Sequence, residues 1–165
     1  NGILYRKEIE WIRKDLLYLS SCKRLEGWER DRRLCRHQMT HLLDVARIAY
    51  IRSLENGLGL KKEVIYAAAI LHDIGKASQY TEGIPHETAG KETAEKILED
   101  TDTFTGEERQ MILQAILEHR RDSENQSVLG RLLYESDKLS RACYACPAEK
   151  ECNWSSEKKN MEIKW

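Results

Sequence analysis

Proline occurs only twice in the 165 residues and phenylalanine once, while charged residues make up 33% of the chain. So little proline leaves few forced breaks in regular structure. No apolar run reaches the ~18 residues that a membrane-spanning helix needs, and the opening residues carry no signal-peptide pattern. The chain starts Asn1-Gly2, without an initiator methionine. Neither sign of charge is in surplus: the formal net charge is −1, which argues against an extended nucleic-acid surface. These absences point to a cytoplasmic protein that spans no membrane. Cysteine is the exception to the scarcity. There are five, an odd number, and three of them fall within Cys143 to Cys152. Without a secretory signal, that crowding suggests metal ligation or free thiols rather than a disulfide framework.

What is present is apolar spacing of the 3.6 type, which predicts an all-α protein. Ile3 to Leu19 carries apolar residues at 4, 5, 9, 12, 16 and 19. The stripe predicts an amphipathic helix ended by Ser20-Ser21. Cys22 to Arg36 is basic and interrupted by Gly27, and reads as a loop with Trp28 as an anchor. The arginines at 30, 32, 33 and 36 form a solvated face unless they border an anionic ligand. Thr40 to Asn56 is the next helix, stopped by Asn56-Gly57. Leu60 to Leu71 follows, apolar at every position from Val64 to Leu71 except Tyr66 and therefore buried on nearly all sides. Ala77 to Pro85 reads as a polar loop, and His86 opens a helix to about Glu99. Thr105 caps a helix running to about Arg120, with Glu107 and Glu108 complementing its dipole. Val128 to about Arg141 is the last helix before a compact, cysteine-rich tail. The organisation expected is an N-terminal segment over 1–34, a central domain over 35–141, and an extension over 142–165.

The residues that carry chemistry stand out against this helical pattern. His72-Asp73 directly follows the buried helix, Gly75 lets the chain turn away, and Lys76 leaves a cation beside the pair. An imidazole and a carboxylate rarely sit buried unless paired or metal-bound. His41 projects from the apolar stripe of its helix, His119 from that of another, and Asp137 falls four residues after Leu133. His86 sits at a helix start. Each placement alone suits a satisfied core group or a helix cap; six together favour a mixed nitrogen and oxygen site for a divalent metal.

The order His41…His72-Asp73…Asp137 resembles the HD superfamily of metal-dependent phosphohydrolases. The matching phrases are His41-Leu-Leu-Asp-Val-Ala46, Leu71-His-Asp-Ile-Gly-Lys76 and Glu135-Ser-Asp-Lys-Leu139. The resemblance covers roughly residues 35 to 141 and implies a helical bundle bringing these four ligands to one metal. His86 and His119 match the extra histidines of dinuclear members, in which the Asp of the pair bridges two ions. Fe, Mn, Co or Zn would suit such donors. Asp73 would orient the attacking water, and Lys76 and Arg120 would hold phosphate oxygens. Ordinary surface salt bridges are the alternative for both cations. The Glu-Asp pair of alarmone hydrolases and the Gly-Tyr-Pro signature of cyclic-di-GMP phosphodiesterases are absent. The expected substrate is therefore a small phosphate compound, such as a nucleotide. The rival expectation is a non-catalytic module that keeps the scaffold as a redox or ligand sensor.

Cys143-x2-Cys146-x5-Cys152 supplies three thiolates. Cys35, six residues before His41, is the better fourth, with Cys22 in reserve. A structural zinc site, a [4Fe–4S] cluster and unligated thiols all remain open. The unequal spacing and Pro147 lean slightly toward iron–sulfur.

Overall fold

The computed structural model describes residues 7–165. Among these, eight α-helices and two short 3-10 turns account for all regular structure: α1 Lys7–Lys14, α2 Leu16–Glu29, α3 Met39–Glu55, α4 Lys62–Leu71, α5 Lys76–Glu82, α6 His86–Thr101, α7 Gly106–Glu118 and α8 Val128–Leu139. The turns lie at Cys143–Ala145 and Glu149–Glu151. The fold is all-α, as the spacing predicts.

Helix α4 is the axis of the bundle. Seven of its apolar residues, Val64, Ile65, Ala67, Ala68, Ala69, Ile70 and Leu71, are buried. The three alanines keep its waist narrow, so α3 and α7 pack on it from two sides while α1 and α8 also touch it. Each large side chain in this position, such as Ile65 or Leu71 at 1% and 0% exposure, contributes about 1.5–3 kcal/mol of apolar burial. Packing α4 on all sides has a functional consequence. Its C-terminus cannot reach water, and whatever follows Leu71 enters the interior.

The N-terminal third departs from its sequence pattern. The expected helix over 3–19 begins outside the described residues, and within them it is broken at Asp15. The Asp15 carboxylate accepts the backbone N–H of Tyr18 at 3.0 Å and caps a new helix, α2. That helix runs through Ser20-Ser21 and Gly27 to Glu29, where a loop was expected. Ser20 Oγ donates to the Leu17 carbonyl at 3.0 Å, satisfying the hydroxyl inside the helix. Burial of Tyr18, Leu25 and Glu29 outweighs the weak helix preference of Ser and Gly. The buried face is therefore Tyr18, Ser21, Leu25 and Glu29, whereas Leu16 and Leu19 are exposed. Trp28, expected as an anchor, is 56% exposed.

The expected loop over 77–85 is also mostly helix. Gly83 is not a loop residue but the left-handed end of α5, with φ 69° and its N–H donated to the Gln79 carbonyl. Gly75 departs as well. Its φ of −83° is open to any residue, so no special turn requires glycine there. It is needed because a Cβ would lie 2.1 Å from the His86 carbonyl oxygen and 2.4 Å from the Gly90 nitrogen. Glycine at 75 lets α6 pass against the backbone that follows His72-Asp73.

Candidate metal centre

Two helices end in the same way. His72 follows α4 and His119 follows α7, and each turns its Nδ1–H back to a carbonyl three residues earlier, Ala69 and Ile116, at 2.6 Å. A carbonyl can only accept, so Nδ1 of each ring carries a proton and Nε2 is the atom left facing the interior. His86, at the start of α6, donates its Nδ1–H to Gln79 Oε1 at 2.8 Å. His41 places Nδ1 3.2 Å from Ser140 Oγ, whose own proton goes to the Asp137 carbonyl at 2.7 Å. Four imidazoles thus have their outer nitrogens tied down and their Nε2 atoms aimed inward. This is how a ligating histidine is oriented by its outer hydrogen bond.

Asp73 stands between them and divides them into two sets. Its Oδ2 faces His72 Nε2 at 2.9 Å and His41 Nε2 at 3.5 Å. Asp137 Oδ1 completes that side, 3.1 Å from His41 Nε2 and 3.7 Å from His72 Nε2. Oδ1 of Asp73 faces the other way, 3.8 Å from both His86 Nε2 and His119 Nε2. Within each set, His41, His72, Asp73 and Asp137 on one side and Asp73, His86 and His119 on the other, the donor atoms lie within 4.8 Å of one another.

So many acceptors facing one another need a positive charge among them. His72 Nε2 and Asp73 Oδ2 are buried and, 2.9 Å apart, depend on each other's charge. Burial alone would lower the His72 pKa, but the charges of Asp73 and Asp137 override it and push the pKa up to about 10. Burial works against ionisation of Asp73 and Asp137 as well. The imidazoles of His72 and His41 nevertheless hold both carboxyls well below the ordinary range. The other set cannot be satisfied by a proton. His86 and His119 hold their Nε2 atoms 3.0 Å apart. Burial and the neighbouring Lys76 charge push the His86 pKa down to about 2, and burial with the His72 charge pushes that of His119 to about 4. At neutral pH, two lone pairs therefore point at each other. A divalent cation resolves this arrangement, and mixed imidazole and carboxylate donors suit a first-row transition ion.

The cluster opens into a cleft of about 310 Å³. Lys76, Arg120, Lys138, Arg141 and Arg32 line it, so the mouth over the carboxylates is cationic. Lys76 forms no hydrogen bond or ion pair with the described residues, and burial lowers its pKa against the pull of Asp73. Arg120 is already engaged, its Nη1 lying 3.3 Å from both Glu87 carboxylate oxygens.

One support behind the cleft escapes sequence reasoning. Glu29, 1% exposed, accepts from the His37 backbone N–H at 2.7 Å, Gln38 Nε2 at 3.0 Å and Tyr80 Oη at 3.0 Å, with His37 Nδ1 2.5 Å away. Burial opposes its charge, but His37 and these donors bring its pKa down to about 2. The end of α2 thereby fixes the start of α3 and the middle of α5. The fifth histidine, His37, serves this clamp rather than the cluster. The only signal available was a glutamate in a segment expected to be irregular.

The thiols do not join this cluster, although Cys35 and Cys152 also border its cleft. Cys35, Cys143, Cys146 and Cys152 line a second cavity, while Cys22 lies elsewhere against Tyr18.

The geometry agrees with what known proteins share with this chain. Residues 39–142 match the HD domain family model. The chain belongs to the HD domain family. A protein from Clostridium beijerinckii is 47% identical over 153 residues, covering 92% of this chain and 95% of that protein. Ribonuclease Y of Acetivibrio thermocellus is 31% identical over 104 residues, and that of Enterococcus faecalis 30% identical over 124 residues. The matched parts are 63% and 75% of this chain but only 18% and 22% of those enzymes. The HD chain thus spans about a fifth of their length. Among solved structures, a predicted HD superfamily hydrolase from an uncultured Thermotogales bacterium superposes with a TM-score of 0.64 over 93% of this chain and 80% of that one, at 19% identity. Among the described residues no helix is long and apolar enough to cross a membrane.

Proposed function

We propose that this HD protein is a metal-dependent phosphohydrolase acting on a phosphate ester or anhydride of a small molecule, with a nucleotide as the favoured class. The observation carrying this reading is the inward set of Nε2 atoms around Asp73, with His86 and His119 meeting at 3.0 Å. His41, His72, Asp73 and Asp137 would hold one ion, and Asp73, His86 and His119 a second. Iron, manganese, cobalt or zinc fits these donors. Such ions, when bound, make water a nucleophile near neutral pH and neutralise charge on phosphate oxygens.

The chain's own groups do the rest. Asp73, shared by both sets, is placed to accept a hydrogen bond from the attacking water and fix its direction. Lys76 offers an amine with no other partner among the described residues to a phosphate oxygen. A phosphate there would favour the charge that burial disfavours. Arg120 adds a weaker contact, because Glu87 already holds it. The cleft of about 310 Å³ accommodates a nucleotide-sized group.

A second substrate class follows from the likeness to Ribonuclease Y, whose name implies RNA phosphodiesters. One experiment separates the readings. Protein purified without chelator is assayed with Mn²⁺ against phosphomonoesters, nucleotides, dinucleoside polyphosphates and short RNA. Turnover of the small compounds that disappears in Asp73→Asn supports the proposal. Turnover of RNA alone moves the substrate to phosphodiesters of nucleic acid. No turnover of any of them in metal-loaded protein overturns the enzyme reading in favour of a sensor module.

A further inference from the structure

The second cavity, about 370 Å³, lies beside the first and shares Leu34, Cys35, Arg141, Cys152 and Trp154 with it as a common wall. Four free cysteines face it: Cys35 from the segment before α3, and Cys143, Cys146 and Cys152 from the tail. Over a hundred residues of chain separate the first from the others, so the fold has brought them together. The tail is held in place for this. Asn160, buried, donates its Nδ2–H to the Lys138 and Arg141 carbonyls at 2.7 and 2.9 Å, and its own carbonyl accepts Tyr144 N–H at 3.0 Å. Lys159 Nζ reaches the Glu149 carbonyl at 2.8 Å and its carboxylate at 2.7 Å. Arg33 of the neighbouring segment pairs with Glu151 at 2.9 Å.

The thiols are neighbours. Burial raises the Cys35 pKa and Arg141 lowers it, while Cys146, Cys143 and Cys152 lie close enough to raise it further. Yet, among the described residues, no three of these sulfur atoms gather within 4.8 Å of one another. A single tetrahedral zinc, with Zn–S bonds of ~2.3 Å, would need all four sulfurs about 3.8 Å apart. A [4Fe–4S] cluster puts each thiolate on a different iron, so its ligands stand further apart around a much larger inorganic body. The open cavity between the sulfurs provides that room. Two further features suit the anionic assembly that four thiolates and a cluster make. Arg141 and Arg36 line the cavity. The Trp154 backbone N–H also points at Cys152 Sγ, 3.5 Å away, a contact of the kind that stabilises cluster sulfurs.

We propose that Cys35, Cys143, Cys146 and Cys152 bind a [4Fe–4S] cluster in this cavity, one wall away from the His/Asp centre. The assignment does not depend on the hydrolase reading, since it rests on a different cavity and different ligands.

The test uses the full chain, purified anaerobically and then treated with ferrous and ferric iron in equal amounts and sulfide. Visible absorbance, iron, zinc and acid-labile sulfide are measured; iron at the His/Asp centre brings no sulfide, so sulfide reports this cavity alone. The expected product is brown, with about four sulfides per chain. Cys35→Ser and Cys146→Ser should each lose colour and sulfide with unchanged far-ultraviolet dichroism, and Cys22→Ser should retain both. A colourless protein holding one zinc in the cavity overturns the proposal, as does a reconstituted protein without sulfide. Retention of about four sulfides by both Cys35→Ser and Cys146→Ser overturns the ligand set. Should a variant fail to fold, the sulfide content of the wild-type chain and of Cys22→Ser still decides.

Discussion

The His/Asp centre and the thiol cavity share a wall but are built on opposite plans. In the first, donor atoms crowd within 4.8 Å of one another in each of two sets, and each imidazole has an outer hydrogen bond to helix backbone or to a side chain. In the second, three cysteines of a short, irregular tail and Cys35 from the segment before α3 line an open space. Crowded, rigid donors fit single ions at bond distance, while spaced donors fit a larger body. The difference teaches that ligand type alone does not define a site; the spacing set by the supporting elements does. Helix ends deliver close convergence because two ends can aim at one point. A tail pinned at Asn160 and Lys159 wraps around a volume instead.

The largest effect expected from breaking this contrast is at Asp73, the carboxylate common to both ion sets. Asp73→Asn should remove both bound ions and lower phosphoester hydrolysis by at least roughly 10²-fold. Any cluster in the thiol cavity should survive. Metal analysis beside acid-labile sulfide reads both centres in one sample. Simultaneous loss of sulfide would show that the two regions are not independent.

Gly75→Ala should split the first centre in half. The added methyl meets the His86 carbonyl and Gly90 nitrogen, so α6 must move away, carrying His86 with it. Overpacking of this kind costs about 1–3 kcal/mol. His41, His72 and Asp137 stand on other elements and should keep their ion. The expected outcome is a lower melting temperature and one ion per chain, against the two proposed for the wild type. Two ions retained at wild-type affinity would mean that His86 is not a ligand.

A pH series on chelator-treated protein should show a moderate effect with a definite sign. His86 and His119 fall from the ordinary 6.5 to about 2 and about 4 in the folded chain. The unfolded chain therefore binds protons that the folded one refuses. Stability is present above pH 6.5 and is lost as pH falls from 6.5 through about 4. His72 shifts the opposite way, to about 10, so its contribution is present below pH 6.5 and is lost as pH rises through about 10. His119→Gln should flatten the acid limb of a melting-temperature profile and leave the alkaline limb in place. Added metal must displace the His72 proton, so its affinity should rise with pH.

Much of this was legible in the sequence. Helices α3, α4, α6, α7 and α8 follow their apolar spacing, and His41, His72, Asp73, His86, His119 and Asp137 stand out as polar groups on apolar faces or helix ends. Periodicity and odd placement are local signals, and they were enough to assemble the candidate centre. What was lost depended on contacts between distant segments. Serine and glycine in α2 suggested a loop because the burial that outweighs them comes from Tyr18 against the Ile70 carbonyl, 3.1 Å away. Gly75 signalled a turn because the neighbour it admits, α6, arrives from later in the chain. The Glu29 clamp joins three segments, so no window of sequence contains it. The thiols were visible by crowding, but their spacing, which separates one ion from a cluster, belongs to the cavity.

The smallest expected effect tests the shared wall. Arg141 lines both cavities. Its Nη1 donates to the Arg36 carbonyl at 2.8 Å, and its Nη2 lies 3.2 Å from His41 Nε2. That nitrogen is the one His41 would offer to an ion, so the guanidinium and a metal compete for the same lone pair. On its other side the same cation lowers the Cys35 pKa and faces the space a negatively charged cluster would fill. Arg141→Ala should therefore move the two centres in opposite directions. Ion affinity at the His/Asp centre should rise about two- to fivefold, matching the ~0.5–1 kcal/mol carried by a part-exposed charge. The cluster should become correspondingly easier to lose to air or chelator, because a stabilising cation has gone. Arg141→Lys keeps the charge but cannot hold both contacts in one planar fork. It should free His41 as the alanine does while retaining most of the cluster's stability. Titration of the His/Asp centre with Mn²⁺, beside the rate of sulfide loss in air, measures both arms. A shift in the same direction at both centres would mean that Arg141 acts on them through packing rather than through its charge.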